Sequence, residues 1–491
     1  MAYPASGLSV GARRISALAV GSLVAFLGGC AVGPDYERPE VPMPEDWRVD
    51  SREAADLANT RWWNRFEDPV LDDLIETALA ENRDIRQAAA RVDQFLGGLR
   101  TTRAEFFPQV TYEGDVSRNR LSEDGYGFSP GADPYFNHYA ASLGASWQID
   151  LFGRVRRQTE AAQARVYASE QGRRGVILSV VAGVASTYIT LRGLDRQLEI
   201  SMETAASYER TLDIFRLRYR YGTVSRLELS QVESQYHQAR AAIPSFEAQI
   251  AAQENLLSIL LGRNPQDIVR GRAIENLPIP AVPDSLPSDL LERRPDILQA
   301  EQNLAAANAD IGVARSLYYP DIAITGAYGA VSTDLDDFLD SSARTWNIGA
   351  NVLGPIFTAG SIAGTVQSAE AARQQAEEFY RGTILNALKE VNDALVSTQK
   401  NAEAYDSLSL RVNALRDYAR LADLRFEAGA ASYLEVLYAN QELFIAELEA
   451  VNARVGHYTS LVDVYRSMGG GWVDDASMMA PTPQEVMSQE R

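Results

Sequence analysis

From Gly360 to Arg425 the chain contains no proline, and apolar or small residues recur there in steps of three and four. Ile384, Leu388, Val391, Leu395, Thr398, Ala402 and Tyr405 make one run; after a three-residue step the pattern resumes at Leu408, Val412, Leu415, Ala419, Ala422 and Phe426. Such spacing marks a coiled-coil seam, and the short step is a stammer. At about 1.5 Å per residue, a helix of about 65 residues is roughly 95 Å long, against a globular mean of ~11–12 residues. A chain built on such a helix folds as a long rod or tube. Its antiparallel partner is predicted from Leu434, Leu437, Gln441, Phe444, Leu448, Val451, Val455, Tyr458, Val462 and Tyr465.

The same plan occurs twice. Asp84-Ile85-Arg86-Gln87-Ala88 echoes Asp296-Ile297-Leu298-Gln299-Ala300, and Phe106-Phe107-Pro108 echoes Tyr318-Tyr319-Pro320. Leu217-Arg218-Tyr219 with Gly222, Ser225, Leu227 and Glu228 echoes Leu424-Arg425-Phe426 with Gly429, Ser432, Leu434 and Glu435. Copies lie roughly 205 to 212 residues apart, far beyond solenoid periods of ~20–50, so this is a duplicated domain. Each copy reads helix, hairpin, very long helix, turn, long helix. In the first copy the second long helix carries Leu229, Val232, Tyr236, Ala239, Ile243, Phe246, Ile250, Gln253, Leu257 and Leu260, with Pro244 as a kink site. Gly222 and Gly429 are predicted to end their helices. The expected divisions are 30–66, an extended N-terminal segment; 67–276, the first repeat, with its hairpin near 109–150 and turn near 219–226; a Pro-rich linker, 277–288; 289–472, the second repeat, with its hairpin near 320–354 and turn near 426–433; and a disordered tail, 473–491.

Four short segments alternate instead. Val110, Tyr112 and Val116; Ala141, Leu143, Ala145, Trp147 and Ile149; Ile322, Ile324, Tyr328 and Ala330; and Trp346, Ile348, Ala350 and Val352 interleave with polar or small residues. An apolar face, a polar face and end aromatics are the pattern of membrane β-barrel strands, though a soluble sheet with one wet face shares it. Four strands cannot close a barrel, and open edges are not tolerated in lipid. If these strands lie in a membrane, several copies must pool them. The uncharged stretch from Gly175 to Leu191 reaches the lower length limit of a spanning helix; continued helical patterning on both sides reads it as interior packing.

Arg13 and Arg14 precede an apolar run, Ile15 to Leu27, that ends Leu27-Gly28-Gly29-Cys30. This is a signal peptide over 1–29, closing on what looks like a lipobox with Cys30 as the lipidated residue. Ala31 at the second mature position implies export to the outer membrane. Cys30 is the only cysteine, so no internal disulfide forms. The formal charge of −20 excludes a nucleic-acid partner. His138, His237 and His457 are dispersed, and no catalytic triad order, phosphate loop or metal cluster stands out. No enzymatic role and no cofactor are expected, apart from the covalent lipid. The pairs Asp72-Asp73, Asp336-Asp337 and Asp474-Asp475 read as helix starts, loop charge and tail.

Taken together, these features resemble the TolC-like outer membrane factors, in the lipoprotein branch serving resistance-nodulation-division pumps. The sharpest marks are Cys30-Ala31-Val32-Gly33-Pro34-Asp35-Tyr36-Glu37-Arg38-Pro39, Trp62-Trp63, Glu292-Arg293-Arg294-Pro295-Asp296-Ile297 and Gly469-Gly470-Gly471-Trp472. The resemblance implies a mainly α fold with a membrane β-barrel part: a homotrimer with a twelve-stranded barrel in the outer membrane and a helical tunnel across the periplasm. It implies a passive exit duct for small molecules, joined to an inner-membrane pump through a periplasmic adaptor. The adaptor would dock at the turns, on Gly222, Ser225, Leu227, Gly429, Ser432 and Leu434. Asp423 occupies the place of a gate carboxylate beside Arg425, and Asp213, Arg216, Arg218 and Glu228 are further gate candidates. A protein-secretion duct and a coiled-coil envelope tether are the alternatives; the lipobox and Gly-Gly-Gly-Trp favour efflux over the first, and the four strands argue against the second.

Overall fold

The computed structural model describes residues 31–44, 61–124, 131, 133–280, 289–469 and 472–480. Cys30, the signal segment 1–29, the linker core 281–288 and the tail 481–491 lie outside the described residues. The chain divides into two compact units. One comprises Met1–Pro39, Gln94–Tyr167 and Glu301–Glu378, the other Glu40–Asp93, Ala168–Ala300 and Phe379–Arg491. The elements run α1 (Pro69–Glu81), α2 (Arg83–Ala104), β1 (Gln109–Arg120), β2 (Tyr135–Ile149), α3 (Arg154–Arg220), α4 (Arg226–Leu260), α5 (Leu290–Arg293), α6 (Pro295–Ser316), β3 (Asp321–Ser332), β4 (Arg344–Leu353), α7 (Ser361–Glu427), α8 (Tyr433–Ser467) and α9 (Trp472–Met479). Helices α3 and α7 each have 67 residues, or about 100 Å of rise. Their partners α4 and α8 each have 35. Helix α4 continues through Pro244, where a kink was expected.

The first unit carries the sheet. Its strands order β1-β2-β3-β4, all antiparallel, so β2 and β3 join the two repeats and β1 and β4 are open edges. Pairing places Tyr112 opposite Leu143, Leu143 opposite Tyr328 and Tyr328 opposite Trp346, so one row of large side chains crosses all four strands. Because side chains alternate, these residues share a face with Val110, Val116, Trp147, Ile324, Ile348 and Val352. That face is bare: Tyr112 is 88% and Ile348 75% exposed. At the sheet base the Trp147 indole donates to the Phe106 carbonyl at 2.9 Å. In the same unit, residues 31–38 lie extended along α3 and α6. The Val32 N–H donates to Phe152 O (3.1 Å), Arg157 donates to Asp35 (2.8 Å), and Arg38 forks onto Glu301 at 2.7 and 2.5 Å. Gly33, at φ +112°, faces Gly312; a Cβ on Gly33 would meet the Gly312 backbone at 2.5 Å.

The second unit holds the main core. Trp62–Phe66 form a short 3-10 turn with Trp62, Trp63 and Phe66 buried. Trp62 stacks on Tyr465 with centroids 5.0 Å apart, and Trp472 meets Trp63 edge-on at 5.4 Å. This corrects two expectations: residues 62–66 are not extended, and the tail does not lose structure at 473, because α9 buries Trp472, Val473 and Ala476 in that core. The triple glycine reads as a terminator; the apolar face that restarts after it is what folds. Helix α3 is long and apolar enough to cross a membrane by length and composition. Yet Val181, Val184, Ala185, Tyr188, Ile189 and Leu191 are fully buried in this core, as the interior-packing reading expects.

Candidate functional site at the helical turns

Each long hairpin reverses through the same device. In the first, the Gly222 N–H donates to Tyr219 O (3.0 Å) and the Thr223 N–H to Arg218 O (2.9 Å). In the second, Gly429 donates to Phe426 O (2.9 Å) and Ala430 to Arg425 O (2.8 Å). Both are Schellman closures, with the glycines at φ +73° and +70° in the left-handed region. The new helices then start differently. Ser225 and Glu228 form a reciprocal capping box: Glu228 N–H donates to Ser225 Oγ (3.2 Å) and Ser225 N–H to Glu228 Oε2 (2.7 Å). The Ser225 N–H, and then the Ser225 hydroxyl at 2.8 Å, donate to the Glu228 carboxylate and pull it below its usual range. Ser432 makes no such side-chain bond. The equivalent Glu435 instead takes Arg425, at 2.7 Å.

Beneath the turns, α3, α4, α7 and α8 share one apolar cluster that includes Tyr208, Leu212, Phe215, Leu229, Ala422, Tyr433 and Val436. Tyr433 lies 4.2 Å from the Phe215 ring and 5.1 Å from Phe426. Arg218 caps this trio, its guanidinium carbon 5.7 Å from both Phe215 and Phe426. Burial pushes the Tyr433 phenol up to about 12. Higher along the pair, Gln235 of α4 donates to Gln441 of α8 at 2.9 Å.

The candidate gate residues therefore separate. Arg425 is engaged by Glu435, Arg218 by aromatic rings, and Asp213 pairs with Arg216 on the surface at 3.3 Å. Asp423 makes no hydrogen bond or ion pair among the described residues. Partial desolvation, and then nearby Glu427, hold its carboxyl above the ordinary range. It stands as an uncompensated carboxylate six residues before Gly429. The candidate docking residues Leu227 and Leu434 are 69% and 58% exposed, and Tyr221 beside them 75%. Leu434, also read as a seam residue, is turned out, and Tyr433 fills the buried place. The sequence reading missed Phe215 and Tyr433 as the tie between hairpins, and Glu435 as the partner of Arg425. The repeat carried a signal for Glu435, because it aligns with Glu228. Among the described residues, no three His, Cys, Asp or Glu side chains gather as a metal site.

A family model described as outer membrane efflux protein matches residues 74–263 and 286–470. The antibiotic efflux pump outer membrane protein ArpC of Pseudomonas putida is 34% identical over 470 residues, covering 94% of this chain and 96% of that protein. The cation efflux system protein CusC of Escherichia coli is 31% identical over 454 residues, covering 91% and 96%. Among solved structures, the Campylobacter jejuni CmeC outer membrane channel superposes with a TM-score of 0.85 at 25% identity, covering 92% of this chain and 99% of that one.

Proposed function

The chain belongs to the outer membrane efflux protein family, and on that premise we propose how its geometry makes it the outer-membrane exit duct of an efflux system. The observation that carries the reading is the sheet: four strands, two open edges and a bare apolar face. In hydrocarbon every backbone group must be paired, so β1 and β4 need neighbours. Three copies, each giving four strands, make a twelve-stranded barrel wide enough to hold water. The polar face, with Glu113 and Asp115, then lines the lumen, and the apolar face meets lipid.

The repeats divide as 67–276 and 289–472, and the two turns form the periplasmic tip. Leu227 and Leu434 there offer apolar contacts to an adaptor, with Gly222, Ser225, Gly429 and Ser432 shaping the surface; the adaptor links the duct to an inner-membrane pump. Asp423, repeated by symmetry, forms a carboxylate ring that attracts cations and repels anions. Arg218, Arg425 and Glu228 hold the turn framework around it, and Asp213 and Arg216 lie on its surface. Cys30 carries the lipid, and the docking of residues 31–38 in the first unit holds that anchor to the body. The duct itself performs no chemical step; transport energy comes from the pump. Relatives named for antibiotics and for cations leave the cargo class to the pump and adaptor.

Single-channel recording of the purified protein in a planar bilayer tests this, with wild type beside Asp423→Ala. A small, long-lived, cation-selective conductance that rises in the variant is the expected result. Equal conductance in both would keep the duct and remove Asp423 as its gate. No conductance from inserted, folded protein would remove the duct.

A further inference from the structure

The strand charges sort by face without exception. The carboxylates of the four strands are Glu113, Asp115 and Asp321, and the guanidiniums are Arg118, Arg120 and Arg344. By pairing and alternation, all three acids share the polar face with His138, and all three arginines share the apolar face with Tyr112, Tyr328 and Trp346. The arginines also sit at one end. Arg118 and Arg120 close β1 and Arg344 opens β4, so each lies at the hairpin end of the sheet, away from the helices. All three are exposed. Arg118 and Arg120 stand 5.9 and 5.7 Å from the ring of Tyr135, which occupies the same end and face. Arg120 also pairs with Glu123 at 2.9 Å; Arg118 and Arg344 have no carboxylate partner among the described residues.

This is not a generally basic end. The described residues of the two hairpin loops, β1 to β2 and β3 to β4, carry Glu123, Asp124, Asp133, Asp334, Asp336, Asp337 and Asp340 and no Lys or Arg, and the whole chain is acidic at −20. Positive charge is confined to the outward face, just beyond its apolar band. Arginine there costs little where headgroups begin and gains from anionic lipid, whereas deeper in the band it is expensive. Guanidinium also matches phosphate oxygens with paired donors.

Resting on the duct reading above, we propose that Arg118, Arg120 and Arg344 form a binding site for the phosphate groups of an anionic glycolipid in the outer leaflet. Because β1 and β4 are the two sheet edges, assembly of copies sets Arg344 of one beside the Arg118–Arg120 pair of the next. The site is then completed at each junction, and bound lipid bridges two copies.

The test titrates the assembled full-length protein in detergent with fluorescent bis-phosphorylated lipid A and with its dephosphorylated form. Wild type is expected to bind the phosphorylated lipid at least tenfold more tightly. The triple variant Arg118→Gln, Arg120→Gln, Arg344→Gln should lose that preference, roughly a hundredfold if each guanidinium contributes as a basic side chain near an anionic membrane does. Lys389→Gln with Lys400→Gln, exposed cations on α7, should bind as wild type does. Inorganic phosphate at equal concentration should not displace the lipid; displacement would assign the site to free phosphate and overturn the proposal. Equal affinity of wild type for both lipids overturns it as well, whether or not the triple variant assembles. Conductance from the same wild-type sample keeps the two readings apart: a conducting channel without lipid preference sinks the site alone.

Discussion

Of the candidate gate residues at the turns, Arg425, Arg218, Glu228, Asp213 and Arg216 have partners among the described residues, and Asp423 has none. Asp423 and Glu228 titrate in opposite senses. Glu228 is stabilised as the anion by the Ser225 N–H and hydroxyl, so its cap contributes stability above the ordinary value of 4.5 and loses it as pH falls through the depressed one. Asp423 is held above its ordinary 3.8 by desolvation and Glu427, so its ionisation costs the folded tip and acid neutralises it early. Tyr433, whose phenol burial pushes up to about 12, keeps its proton over this range. On acidification, cation selectivity should therefore begin to fall with a step whose midpoint lies above 3.8, and Asp423→Asn should lack that step; reversal potentials from pH 7 down to 4 would show it. Framework residues answer differently. Glu435→Gln breaks a largely exposed ion pair worth at most about 1 kcal/mol. Tyr433→Ala opens a cavity under both turns and should cost about 3 kcal/mol, read by thermal unfolding of the two variants side by side. The sequence marked Arg425 and Asp423 as neighbours. It could not assign their partners, because whether Arg425 reaches Glu435 depends on how the turn sets α8 against α7.

The elements themselves were the legible part. Two helices of 67 residues follow from steps of three and four uninterrupted by proline, and four strands from strict alternation. Both signals are periodic, and periodicity survives in a single sequence. What failed was local and context-driven: Trp62–Phe66 and α9 are ordered by burying tryptophans against one another, and nothing in their own spacing announces it. Leu434 shows the same limit, since one residue of phase after the turn decided between it and Tyr433. The closures at Gly222 and Gly429 were read from composition, and their geometry makes a clean prediction. A Cβ at either position meets nothing within 4 Å, so substitution by Ala adds only left-handed backbone strain, about 1–2 kcal/mol at each turn. Asn should recover part of it. Hydrogen exchange at residues 217–226 and 424–433 would register faster opening for Ala than for Asn; equal protection would mean the closures are not what ends these helices.

For the molecule as a whole, assembly follows from what one chain leaves unsatisfied. Its sheet exposes two edges and an apolar face, and the acids and arginines take opposite faces. The faces make opposite demands on a new charge. Ile348 lies on the apolar face, 75% exposed and four residues along β4 from Arg344, about 13 Å at strand rise. Asn351 lies on the polar face of the same strand. Ile348→Arg should cost about 2–4 kcal/mol per copy in the bilayer, enough to deplete assembled protein from the membrane fraction. Asn351→Arg should assemble normally and lower the preference for cations, because its charge enters the water-filled interior. The natural arginines escape the cost of Ile348→Arg because they sit where the apolar band ends. If both variants assembled equally and only Ile348→Arg changed selectivity, the faces would be inverted and the barrel would have to close the other way round, with the aromatic row pointing inward.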